Sequence, residues 1–109
     1  MTKVTIYKNE KNECVGFRVS GHAGYAEEGE DIVCAAISIL VINTMNAIET
    51  FTDAIFSQQA DETQGVIEFH ITKQTKETTL LLDTMVLGLQ TLESSKEYQD
   101  YIDLIFEEV

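Results

Sequence analysis

His22 and Cys34 stand twelve positions apart, and together they can break an acyl bond. A thiolate is a strong nucleophile, and an imidazole can hold or release a proton near neutral pH. Between them run Gly24, Gly29 and four carboxylates (Glu27, Glu28, Glu30, Asp31), which read, with Gly21, as a loop over 21–30. Asp31 fits a helix N-cap, so Ile32, Val33 and Cys34 are expected to form a first turn. There a thiol feels the positive end of the helix dipole and the unpaired backbone N–H groups, and both favour thiolate. Each residue also has a plainer reading. Cysteine often serves as a small buried hydrophobe, and a loop histidine often has no role. A spacing of twelve is not by itself a specific pattern.

Other chemistries fit less well. Cys14, Cys34, His22 and His70 match no zinc spacing, so no metal is expected. Gly21, Gly24 and Gly29 lack the spacing and the lysine of a phosphate loop, no serine elbow is present, and no cofactor is implied. A redox pair of Cys14 and Cys34 would need the two thiols adjacent, and their placement on a strand and a helix gives no reason to expect that.

The elements that must position the pair follow from periodicity. Residues 2–8 alternate, with Val4 and Ile6 on one face. Cys14–Ser20 alternates again, with Val15, Phe17 and Val19 on one face and Cys14 opposite. The two read as a hairpin across the polar turn Lys8–Glu13. Asp31 to about Thr52 is the principal helix, apolar all round in its first half, as expected for burial against a sheet and a second subunit. Residues 54–60 suggest an edge strand. In Val66–Thr72, Ile67, Phe69 and Ile71 face in, while Glu68, His70 and Thr72 face out. Lys76–Leu92 is a second helix with Leu81, Met85, Leu89 and Leu92 on its buried stripe. Gly88 costs that helix about 1 kcal/mol unless close packing needs it. Tyr101–Glu107 is a last strand. The expectation is an α+β fold, ββαββα with a final strand, whose sheet is covered on one face by two helices.

The 109 residues, 44% of them hydrophobic, suit a single domain over 1–109. Seven basic against nineteen acidic residues leave a net charge of -12, which argues against direct nucleic-acid binding and favours cationic partners, unless it serves solubility alone. No cationic segment followed by an apolar one opens the chain, and the run Ile32–Ile42 is too short to span a bilayer. The expectation is a cytoplasmic protein with reduced thiols and no membrane contact.

The stretch GHAGYAEEGEDIVCAAISIL closely resembles the signature of the ribosomal-processing cysteine protease family of bacterial Firmicutes, called Prp. The matching residues are Gly21-His22-Ala23, Gly29, Asp31-Ile32-Val33-Cys34-Ala35-Ala36 and Ser38; the tail from Ser94 onward matches more loosely. The resemblance implies a Cys-His dyad on Cys34 and His22, and a homodimer. It also implies a substrate, the precursor of bacterial large-subunit ribosomal protein twenty-seven, cut after a phenylalanine to remove a short N-terminal extension. On this reading the helix-start amides, including that of Cys34, stabilise the oxyanion. Gly21, Ala23, Gly24, Gly29, Asp31 and Ser38 would line the substrate site, and the loop 23–30 would close over the extension. Asp31 is available to orient His22, although the cap is its expected role. The competing reading is a non-catalytic acidic dimer that binds a basic ribosomal protein as an assembly factor. It accounts for the charge but not for a thiol and an imidazole flanking one loop.

Overall fold

The computed structural model describes residues 1–21, 28–61, 63 and 65–109, with the side chain of Glu28 excepted. The elements are β1 (Thr2–Lys8), β2 (Cys14–Ser20), α1 (Glu28–Phe51), β3 (Ile55–Asp61), β4 (Val66–Lys73), α2 (Lys76–Ser94), a 3-10 turn (Gln99–Tyr101) and β5 (Ile102–Glu108). They build one five-stranded sheet in the order β3-β4-β2-β1-β5. The β1–β5 pair is parallel and the other three pairs are antiparallel. This is the expected α+β order, with both helices on one sheet face.

The core lies between that face and the helices. Ile6, Phe17 and Phe69 are opposite one another across three strands, and the Phe17 and Phe69 rings stack at 5.2 Å. Val33, Ile37, Val41 and Ile48 come down from α1, and Leu82, Met85 and Leu89 from α2. Of the expected α2 stripe, Met85 and Leu89 are buried and Leu81 and Leu92 are half-buried against the core, while Thr78, Leu82 and Val86 are buried as well. Thr75 starts α2 with a reciprocal cap: its hydroxyl accepts from the Thr78 N–H, and its own N–H donates to the Thr78 hydroxyl. Gly88 meets the condition set for it, because a Cβ there would stand 3.0 Å from Leu40 Cδ2 where the helices cross.

Three expectations change. Cys14 is fully buried in the core rather than on the opposite face. The register runs Tyr7↔Gly16 and then Lys8↔Cys14, so Val15 is an extra residue on β2. Such a bulge turns the residues beyond it to the other face. The second change is at α1, which begins at Glu28, three residues before Asp31. Acidic side chains suit a helix start, so Glu28 and Glu30 extend the helix backwards. Gly29 is packed so that a Cβ would lie 2.8 Å from the Tyr101 ring. Third, Gly29–Phe51, with mean hydropathy 1.8, is long and apolar enough to cross a membrane, unlike the shorter run noted in the sequence. The core helix of a soluble protein has the same character, and one side of α1 forms core here. On the other side of α1, Ile32, Ile39 and Ile42 are 47%, 70% and 44% exposed in the single chain.

Candidate active site

Cys34 is half-buried on α1 and lines a cavity of about 490 Å³. Ile37, Ser38, Ile42 and Met45 continue the same wall at helical spacing, one turn after another. The facing wall is Gln58–Asp61 of β3 with Gly65, Val66 and Ile67, and Thr2 and Val19 complete the lining. The Thr63 hydroxyl and N–H both donate to Asp61 Oδ1, at 2.7 and 3.0 Å, and pin the turn that leaves β3.

The structure brings Cys34 and Ser38 together in this cavity. Gly21 follows β2 with φ 87, and a Cβ there would meet the Met1 carbonyl oxygen at 2.6 Å, so glycine is required there for backbone reasons. Gly29 likewise has a packing reason in Tyr101. Asp31 is exposed within α1 and is not its cap. His22, Ala23 and Gly24, and with them most of the loop 23–30, lie outside the described residues.

The early start of α1 also relocates Cys34. It is the seventh residue of the helix, one turn beyond the leading turn. Its N–H therefore belongs to the helix ladder, bonding back to Glu30, and is not one of the unpaired leading donors. The field of the helix dipole falls off within the first turn, and Cys34 lies beyond that turn. The leading amides now belong to Glu28, Gly29 and Glu30. The Met1 ammonium pairs with Glu30 in that turn and ties the start of β1 to the start of α1.

The second cysteine contrasts with the first. Burial pushes the Cys14 thiol up from its ordinary value, and its Sγ lies 3.4 Å from the Gly16 carbonyl oxygen. Neither cysteine is in a disulfide. Among the described residues, no three His, Cys, Asp or Glu side chains gather to hold a metal ion. Sequence reasoning missed the β3 wall, Ile42 and Met45. The helical spacing from Cys34 pointed to the last two, but no local signal announces that β3 folds against them.

Residues 1–103 match the family described as Cysteine protease Prp. The chain is 35% identical over 107 residues to the Ribosomal processing cysteine protease Prp of Staphylococcus aureus, covering 95% of this chain and 97% of that one. It superposes on the S. aureus protease in complex with a substrate peptide with TM-score 0.89 and 30% identity, over 98% of this chain and 100% of that one. With the form carrying a covalently linked product peptide the TM-score is 0.85 at 31% identity, over the same shares of each chain. The sequence match over nearly the whole length and the shared fold have one meaning: this chain belongs to the Prp family of cysteine proteases.

Proposed function

We propose that the chain is the cysteine endopeptidase that removes the short N-terminal extension of bacterial large-subunit ribosomal protein twenty-seven, cutting after a phenylalanine. The observation that carries this reading is the Cys34 thiol on the wall of an apolar-sided cavity of about 490 Å³, large enough for bulky side chains. The S. aureus relative with a covalently linked product peptide supports covalent chemistry in the family.

In the mechanism, His22 takes the Cys34 proton and the thiolate sulfur adds to the scissile carbonyl carbon. The oxyanion is held by backbone amides of the loop and of the leading turn of α1, Gly29 among them. The tetrahedral species collapses, the C–N bond breaks, and His22 gives its proton to the leaving amine. Water then hydrolyses the thioester and restores the thiol. Gly21, Ala23 and Gly24 shape the loop that covers the bound extension, with Asp31 beside it and Ser38 in the cavity. The enzyme works in the cytoplasm as a homodimer joined through the exposed apolar side of α1, and its charge of -12 draws in a basic ribosomal substrate.

The test is the intact mass of a recombinant ribosomal-protein precursor after incubation with the wild type, Cys34→Ala and His22→Ala. One clean loss of the extension with the wild type, abolished in both variants, is expected. Stable complex formation without cleavage would instead make the protein a non-catalytic assembly factor.

A further inference from the structure

The four consecutive β3 residues Gln58, Gln59, Ala60 and Asp61 all line the Cys34 cavity. Successive side chains of a strand point to opposite faces, so a cavity on one face would meet only every second residue. Gln58 and Ala60 stand opposite Phe69 and Ile67, on the helix side of the sheet, and Gln59 and Asp61 face the other way, so the cavity reaches the backbone of β3 and has that strand as its outer border. β3 is the outermost strand, and among the described residues its strand partner is β4, which leaves its outer edge open.

The two edges of the sheet differ. On the other side, β5 carries Asp103, Glu107 and Glu108, charges of the kind that blunt an edge. From Ser57 to Ala60, β3 has no charge and no proline, and these residues are exposed. Its one irregularity lies at the far end, between Ile55 and Phe56. An unguarded edge is a template for another strand. Here it faces Cys34 and Ser38 across a cavity whose helix wall also carries Ile37, Ile42 and Met45.

We infer that the substrate docks as a sixth strand on the open edge of β3. An extended, uncharged peptide segment hydrogen-bonds to the backbone at 58–61, and every second side chain enters the apolar cavity against Ile42 and Met45. This rests on the reading of Cys34 as nucleophile, since it says how the scissile bond is brought to that thiol. At about 3.3 Å per residue, the four edge positions span roughly 13 Å, room for about four substrate residues. Backbone pairing supplies affinity and register, while the pocket selects apolar side chains two apart.

A synthetic peptide spanning the cleavage site of the ribosomal-protein extension tests this, N-methylated at one backbone nitrogen at a time. Binding is read by fluorescence anisotropy on Cys34→Ala, and cleavage of the unmethylated peptide is read on the wild type. Methylation is expected to weaken binding about tenfold at alternate positions and little at those between, as loss of one backbone hydrogen bond at a time predicts. Equal effects along the peptide, or none, overturn the inference. If the parent peptide is nevertheless cleaved, the peptidase reading stands alone. Alternation without cleavage by the wild type supports strand docking and overturns the peptidase reading. A parent peptide that neither binds nor is cleaved overturns both.

Discussion

Burial separates the two thiols. Cys34 is half-buried on the wall of a cavity, whereas Cys14 is enclosed in the core with its thiol raised by desolvation. Brief treatment of the native protein with iodoacetamide is therefore expected to alkylate Cys34, leaving Cys14 unmodified until the chain is unfolded. Peptide mass mapping checks this. Across the molecule, on the sheet face away from the helices, Tyr7, Gly16 and His70 form one row over three strands. The Tyr7 and His70 rings stack at 5.1 Å over the glycine. Glu68 accepts from the Tyr7 hydroxyl at 2.8 Å and lies 2.9 Å from His70 Nε2 and 3.6 Å from Arg18. Burial, then the Glu68 hydrogen bond and charge, push the Tyr7 phenol up to about 12. The folded state thus favours the neutral phenol. Its contribution to stability is complete below pH 10 and is lost as the pH rises towards 12. Denaturant melts of the wild type and Tyr7→Phe are expected to show a steeper loss over that interval in the wild type. Ultraviolet titration should find the Tyr7 phenol ionising late, as a phase that disappears in Tyr7→Phe.

At the scale of elements, two local irregularities decide more than propensity does. The extra residue Val15 on β2 turns Cys14 inward and removes it from any surface chemistry. The close approach of β2 to β4 at Gly16 lets Tyr7 and His70 meet, and a Cβ there would lie 2.4 Å from the Phe69 carbonyl oxygen. That neighbour is backbone and cannot swing aside. Gly16→Ala is expected to destabilise the protein by about 1–3 kcal/mol, measured as a lower urea midpoint. Similarly, α1 starts at Glu28 because its early carboxylates suit a helix start and Gly29 fits against Tyr101. The leading amides therefore lie a turn ahead of Cys34.

For the whole molecule, the proposed dimer follows from an imbalance. One side of α1 builds the core while Ile32 and Ile39, outside the Cys34 cavity, stand in solvent on a chain of 109 residues. Grouped apolar exposure of this kind marks an interaction surface. Ile39→Glu, outside the Cys34 cavity, is expected to shift the protein from dimer to monomer in sedimentation velocity without lowering its thermal midpoint as a monomer. A wild type that sediments as a monomer at micromolar concentration would count against the dimer.

Much of this was legible from residue order. Alternation marked four of the strands to within a residue or two, 54–60 was expected as an edge strand without it, and the apolar spacing marked both helices. The dense motif from Gly21 to Ser38 carried the family, because it ties residue type to position along one local stretch. Periodicity reports only which face of an element is apolar, so it was blind to the events that need two elements at once. The bulge that buried Cys14 depends on pairing with β1, and the helix start depends on Tyr101, distant in sequence, accepting Gly29. The cavity wall from β3 depends on a sheet order that places an edge strand beside α1. The sequence by itself determined the elements and the family. Tertiary structure alone decided which thiol is enclosed, where the leading amides stand, and what faces Cys34, since each of these is set by contacts between segments far apart in the chain.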